Sequence, residues 1–500
     1  MNTPYFELLS SINKMIDSLE SMLDDKTIME QRSFYGLSFY LSALSLLGKK
    51  SRHEKLILKI IGGFNLDDST FHWEFNKYAF LHLNEHLKKQ KEIARITNCS
   101  RFNYSSATNW RLLNLSCKFD VKNSLKTKLW VKIRQDRDGF IWDARKVRSS
   151  QYHAFSSALL GEIASSQNKK WAEKSFIRSI DCTCKMILND GEFNYLGRGQ
   201  FQSFGYGPAI YSLIMAYLRT NDIKYFSKYK LLQKYLISRL VEDVAPLMIN
   251  KEDIISGNFK SDSEDHIGWY PYNNFLDYTM FLLFYLVKTY CLMEKSELEQ
   301  LDVDESTSIN KNIGIRNFSG VYIYENENYS AIHSSVVGFN TNGIPNPFIL
   351  SRGEMITPVF GGEQFQDSLY KDNMLGLPTR LDGKKEKFRT LYINENRQIL
   401  FSKSGVLINE FTFGESDILV KNRIFSVKKF FMNFAAMVPL YLSDDGNDCY
   451  SNMFTTRGKL EKENGYSSSG IFSIYRPNVS KKIEVRININ HENISSNSHI

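Results

Sequence analysis

Residues 274–293 read NFLDYTMFLLFYLVKTYCLM, and the nature of this run decides the fold of the chain. Its most apolar part, Met280 to Met293, contains Lys288 and falls short of a membrane span. The run therefore reads as a packing helix, the last of a series. Upstream, YFELLSSINKMIDSLESML (5–23), SFYGLSFYLSALSLL (33–47), HEKLILKIIGGF (53–64) and HWEFNKYAFLHLNEHLKK (72–89) share its helical spacing of apolar residues. So do ATNWRLLNLSCKF (107–119), KNSLKTKLWVKIRQ (122–135), YHAFSSALLGEIASS (152–166), WAEKSFIRSIDCTCKMIL (171–188), GPAIYSLIMAYLRT (207–220) and IKYFSKYKLLQKYLISRL (223–240). Roughly eleven helices joined by short connections are stacked helical hairpins. No fixed-period repeat is visible, which favours a closed toroid over a solenoid.

Downstream the period changes. GVYIYENENYSAIHSSVVGF (320–339), RTLYINENRQILFSKSGVLINEFTF (389–413) and KKIEVRININ (481–490) alternate apolar with polar residues and are rich in Ile, Val, Tyr and Phe. Turn signals such as TNG, LDGKK and DDGND separate them, the pattern of an antiparallel sandwich. The polar stretch KSELEQLDVDESTSINKNIG (295–314) is a natural linker. The expected architecture is a multidomain α+β chain: an N-terminal (α/α) toroid over residues 1–297, a linker at 298–315, and an antiparallel β-sandwich over 316–500.

A chain of 500 residues needs more than one core. Aromatic residues reach 14%, which suits either sugar stacking or core filling. The net charge of +8 accommodates an anionic ligand, yet there is no long basic run or nucleic-acid motif. The six cysteines are scattered, and the Cys182–Cys184 pair has no second pair at zinc spacing, so free thiols are expected. The first residues carry acidic groups throughout and lack the basic start and apolar core of a secretory signal. A soluble cytoplasmic chain is the expectation.

Four stretches are polar or glycine-rich where packing helices would be apolar. RKVRSSQYHAF (145–155) places Arg145, Arg148 and Tyr152 at i, i+3 and i+7, one face if helical, with His153 one position round. Two cations and a phenol on one stripe suit an anion beside a proton-transfer group, or an ordinary basic surface. SSATNWRLLN (105–114) holds Asn109 and Trp110, where the amide either caps a helix or meets a carboxylate. NYLGRGQFQSFGYGPAIY (194–211) sets Arg198, Gln200, Gln202 and Tyr206 among four glycines. It lacks the ending of a phosphate loop, and its glycines permit close approach to a ligand or to a crowded toroid centre. DHIGWYPYNNFLDY (265–278) interleaves His266, Trp269, Tyr270, Tyr272 and Asn273 as a sugar subsite or a packed loop would. The best acidic candidates are Asp138, Asp143 and Glu192.

RKVRSSQYHAF resembles the motif of alginate lyases built on an (α/α) toroid, in which an Arg precedes Tyr-His-x-Phe by seven residues; here 152 − 145 = 7. Helices followed by a sandwich likewise resemble the alginate lyase and heparinase II/III-like two-domain polysaccharide lyases. The family's upstream Asn–His pair is matched at Asn109, while Trp110 stands where the His belongs. The resemblance implies β-elimination at a uronic acid in an acidic polysaccharide or oligosaccharide. Arg145 and Asn109 would neutralise the carboxylate, with Arg148 as a second basic position. Tyr152 would move the proton, alone or with His153, Tyr270 or His266, and His333 of the β domain would reach over the cleft. No cofactor is implied, and a structural metal in the sandwich and the oligomeric state are left open. Two other readings stand: an (α/α)-toroid glycoside hydrolase using Asp143 with Asp138 or Glu192, whose carboxyls would lie about 6.5–9.5 Å apart if inverting, and a non-catalytic polysaccharide-binding or assembly protein, which Trp110 favours.

Overall fold

In the computed structural model the described residues are 4–24, 35–67, 73–99, 107–117, 121–144, 147–197, 202–240, 275–298, 313–334, 347–351, 354–357, 379–380, 389–426, 430–431, 434–437, 454–456, 460–467, 470–477 and 482–489. The helices are α1 (Pro4–Met22), α2 (Gly36–Leu46), α3 (Glu54–Gly62), α4 (Trp73–Phe80), the single turn α5 (Glu85–Lys88), α6 (Lys91–Thr97), α7 (Thr108–Cys117), α8 (Val121–Arg134), α9 (Ser150–Gln167), α10 (Lys170–Met186), α11 (Ser203–Thr220), α12 (Ile223–Ser238) and α13 (Phe275–Lys295).

Their burial divides them into two kinds. In α10 the buried side chains Ala172, Phe176, Ser179, Ile180, Thr183 and Met186 form one stripe, as expected of a helix with a wet face. In α4 every residue is buried, and in α11 everything from Ser203 to Tyr217 is. Helices enclosed on all sides belong inside, and the packing puts them there. Among the described residues α2, α4, α7, α9, α11 and α13 each touch the next, and α13 returns to α2, closing a ring. The other long helices lie outside it: α3 against α2, α8 against α7, α10 against α9, and α12 and α1 against α11 and α13. This alternation is the (α/α) toroid. The run that opens the sequence is inner helix α13. By length and composition alone this helix of 21 residues could cross a bilayer, but most of its surface is buried against the ring, as a packing helix requires.

Aromatic rings fill the ring's centre. Phe281 of α13 stacks on Phe204 of α11 at 4.1 Å, and meets Phe39 of α2 at 4.8 Å, Phe155 of α9 at 5.4 Å and Phe75 of α4 at 6.3 Å. Trp110 of α7 joins through Phe75 at 5.4 Å. Every inner helix thus contributes a ring. Phe75, Trp110 and Phe204 lie in the first turns of their helices, so the inner helices run parallel, with their N-termini at one rim. Deeper in the ring, Lys288 and Glu162 form an ion pair held by Tyr78, whose hydroxyl is 2.8 Å from Glu162 and 2.9 Å from that of Tyr285.

The strands begin with β1 (Gly314–Phe318), β2 (Val321–Glu325), β3 (Ser330–Ser334), β4 (Phe348–Ser351) and β5 (Glu354–Met355), an antiparallel meander. A six-stranded sheet contains β6 (Arg389–Ile393), β7 (Arg397–Ser402), β8 (Gly405–Phe413), β9 (Asp417–Ser426), β10 (Phe454–Thr456) and β11 (Lys482–Asn488), in the order β10-β11-β9-β8-β7-β6. In β11, buried Ile483, Val485 and Ile487 alternate with exposed Lys482, Glu484 and Arg486. These side chains share a core with Ala331 and Ile349 of the meander, so the two sheets face each other. A chain of amides crosses that core, from Asn422 to Asn409 at 2.7 Å, to Gln398 at 3.2 Å and to the Ser334 carbonyl at 3.3 Å. The meander's other face is part of the helical core through Phe318, Val321, Ile323, Ile332, Phe348 and Leu350. The β1–β2 turn is pinned to the helical half: Ser319 donates its N–H to Asp138 at 2.7 Å and its hydroxyl to Asp136 at 2.8 Å.

Candidate active site

The rim at the N-termini of the inner helices gathers the polar residues singled out from sequence. Helix N-termini expose unpaired N–H groups and a partial positive charge, so six parallel ones favour an anion at this end. Asn109 is the second residue of α7 and is 1% exposed. Its carbonyl oxygen accepts the Trp110 N–H at 2.8 Å, while its amide nitrogen is buried with no hydrogen-bond partner among the described residues. A buried donor without an acceptor costs about 1–3 kcal/mol. The neighbouring Thr108 is tied to the approach of α9, donating its N–H to Asp143 O at 2.7 Å and its hydroxyl to Trp142 O at 2.6 Å.

That approach is not helical. Ala144 and Val147 form an isolated bridge, and Ser149, in an extended conformation (φ −146°), caps α9 by accepting the Tyr152 N–H. Arg148 therefore precedes the helix, and the expected shared helical face of Arg148 and Tyr152 does not form. The Arg148 guanidinium lies 4.6 Å above the Trp142 ring and 4.0 Å from Asp136. Burial lowers its pKa, and Asp136 opposes that shift. Tyr152 is half-buried in the first turn of α9, its ring 5.9 Å from Phe204. Trp110 and Tyr278 are also half-buried, packed on Phe75 and Phe204 respectively. The rim is thus an aromatic floor bearing a phenol, an indole and amide donors.

Gln151, which the sequence reading passed over, is fully buried beside Tyr152, and neither of its amide atoms has a partner among the described residues. The signal was present: Gln151 lies four residues before Phe155, which faces the ring's centre. Gln202 is 1% exposed at the N-cap of α11, on the same rim, and its carbonyl accepts the Asn194 amide at 3.1 Å. The glycine-rich stretch is not a loop throughout, because α11 begins at Ser203. A Cβ on Gly205 would lie 2.9 Å from the Cβ of Gln151 and 3.0 Å from its Cα, so glycine here serves close packing against α9. Arg145, Arg198, Gln200, His266, Trp269, Tyr270, Tyr272 and Asn273 lie outside the described residues.

Three expectations are corrected. His153 is fully buried: its Nδ1 accepts the Ile141 N–H at 3.0 Å, and Nε2 lies 3.2 Å from Ser179 O and 3.1 Å from Thr183 Oγ1. Its ring stacks on Phe140 at 4.5 Å, and burial lowers its pKa to about 3, so it braces α9 as a neutral imidazole. Tyr206 points away from the rim and donates to Glu192 at 2.8 Å. His333 lies between the two sheets, donating to Asn394 O at 2.9 Å and stacked on Tyr322, with its pKa lowered to about 4 by burial. None of the three is available to a ligand at the rim.

The acids proposed for a hydrolase fare no better. Glu192 is enclosed by the Tyr206 and Tyr235 hydroxyls and by the N–H groups of Phe193 and Asn194. Burial raises its pKa, countered by those hydroxyls. Asp138 accepts from Ser319, and Asp143 is buried beside Thr108. Among the described residues no three His, Cys, Asp or Glu side chains converge as metal ligands would.

No family model matches the chain, and no curated protein matches it. Solved structures similar in shape include Heparinase III, with 11% identity and a TM-score of 0.36 over 95% of this chain and 89% of that one. A glycosyl hydrolase family 88 protein from Bacteroides vulgatus has 12% identity and a TM-score of 0.39, over 58% of this chain and 99% of its own. A type II terpene cyclase from Scytonema has 12% identity and a TM-score of 0.39, over the same shares, 58% and 99%.

Proposed function

We propose that the chain is a lyase that cleaves a uronic-acid-containing polysaccharide or oligosaccharide by β-elimination. The observation that carries this reading is a half-buried phenol, Tyr152, on the rim where six helix N-termini meet and where the Asn109 amide nitrogen is buried without an acceptor among the described residues. A substrate carboxylate supplies that acceptor. Donors aimed at the carboxylate stabilise the charge that develops when the C5 proton leaves, and one such donor is worth about 10²–10³ in rate. Arg145, just ahead of α9, is assigned the remaining charge. Tyr152 enters as the phenolate and removes the C5 proton, the C4–O4 bond breaks as C4=C5 forms, and the resulting phenol delivers that proton to the departing O4. With His153 sealed in the core and an indole at position 110, no described imidazole serves as a separate base at the rim. The phenol therefore acts as both base and acid, which requires the C5 proton and O4 to lie on the same face of the sugar.

The test is a panel of uronic-acid polysaccharides, followed by absorbance of the unsaturated product near ~235 nm. Activity on one polymer that is lost in Tyr152→Phe, with the urea midpoint unchanged, is the expected result. Binding without absorbance on every polymer would replace the lyase with a binding protein, the reading that the Trp110 platform favours.

A further inference from the structure

Helix α8 is inside out. Its buried face consists of Ser124, Thr127 and Val131, while Val121, Leu125, Leu129 and Ile133 are 66%, 63%, 60% and 70% exposed. These four stand at i, i+4, i+8 and i+12, a single aliphatic ridge along the outer wall, about 18 Å long at 1.5 Å per residue. Isolated exposed aliphatics are ordinary on a protein surface, but a contiguous row is not. The orientation is fixed from the ring side, where Trp130 is clamped between the guanidinium groups of Arg111 at 4.0 Å and Arg134 at 4.7 Å. Lys122, Lys126, Lys128 and Lys132 are exposed on the same side, and α8 contains no acidic residue. Of these lysines, Lys126, Lys128 and Lys132 form no ion pair among the described residues.

We propose that α8 is the docking ridge by which this protein lies on an anionic lipid surface. Charge complementarity calls for an acidic occupant, and the interleaving of lysines with aliphatics identifies its kind. Lysine is depleted from the cores of protein–protein interfaces, whereas at a bilayer its stem covers apolar surface as its ammonium reaches the headgroups. A convex helix with aliphatics on its crest and lysines between them matches an interfacial helix, which sinks its apolar side into the headgroup boundary while anionic lipids hold the cations. An acidic polysaccharide would leave the aliphatic crest exposed. Because α8 runs along the wall of the ring, docking sets the ring axis parallel to the membrane, and the rim with Tyr152 opens along the surface.

The test is co-sedimentation of the intact chain with vesicles of phosphatidylcholine alone and of equimolar phosphatidylcholine and phosphatidylglycerol. The expected result is binding to the mixed vesicles only, weakened by added salt. Leu125→Glu with Leu129→Glu, and separately Lys126→Glu with Lys132→Glu, should each weaken it by about tenfold or more. All four side chains are exposed, so the urea midpoint should not change. The proposal is overturned by absence of binding to mixed vesicles, by equal binding to neutral ones, or by either double variant binding like the parent. It is also overturned if light scattering without lipid detects a dimer that Leu125→Glu with Leu129→Glu abolishes, because a second copy would then cover the ridge.

Discussion

Phe281→Ala tests whether the aromatic centre of the ring is a structural core or an occupied site. Phe281 touches rings from four other inner helices and is fully buried. Truncating a buried Phe to Ala costs about 3–5 kcal/mol, the lost transfer energy plus the cavity left behind. The upper half of that range applies here. The 4.1 Å stack on Phe204 and the edge contacts with Phe39 and Phe155 each contribute about 0.5–1.5 kcal/mol beyond their buried area. The surrounding rings are braced by six helices, so little collapse into the cavity is available. The assay is urea unfolding followed by near- and far-ultraviolet circular dichroism, with Phe281→Leu as a partial filler expected to cost under about 2 kcal/mol. A Phe281→Ala loss below about 1.5 kcal/mol would refute the reasoning. The centre would then be loosely packed, and the aromatic composition would have to be assigned to ligand binding.

Two further perturbations probe the core between the sheets and the packing of the rim. His333 is neutral in the fold, with a pKa of about 4 against an ordinary value of about 6.5, so the folded chain binds fewer protons than the unfolded one between those values. Stability therefore falls as pH drops through that window, by about 3 kcal/mol from this residue at pH 4. His333→Gln should flatten the dependence of the urea midpoint between about pH 6.5 and about pH 4.5, and an unchanged slope would show that burial does not hold this imidazole neutral. Gly205→Ala brings a methyl against Gln151, at a cost of about 1–3 kcal/mol set against about 1 kcal/mol of gained helix propensity. Because it displaces the first turn of α9, the proposed lyase activity should fall by about tenfold or more with a net stability loss of at most about 2 kcal/mol, and a more stable, fully active variant would contradict the packing argument.

The sequence displayed the elements better than their company. Periodicity locates α11 and α13 because an enclosed helix is largely apolar all round, although the equally enclosed α4 buries Glu74, Asn76 and Lys77. It cannot say which helices close on which, since ring closure joins α2 to α13 across most of the helical half. Boundaries were lost where one residue type serves two ends: Gly205 and Gly207 signal a loop in sequence, yet here they let α11 approach α9 and α13. Helical spacing also joined Arg148 to Tyr152, although Ser149, a favoured N-cap residue, starts the helix between them.

Position 151 carries the most instructive difference. A search for chemistry favours residues that titrate, and His153 drew attention on that ground. In the fold a separation of two residues decides the outcome: His153 turns outward against α10 and is consumed by Ser179 and Thr183, whereas Gln151 is buried beside Gly205 of α11 with both amide atoms unmatched among the described residues. A saturated histidine braces a helix, whereas an unsaturated amide raises the energy of the empty fold until something hydrogen-bonds it. Asn109 poses the same demand on the adjacent inner helix. Two amides without partners among the described residues, in first turns of neighbouring helices and beside a half-buried phenol, mark the rim as a part of this ring where stability has been given up, and such concessions concentrate at functional sites.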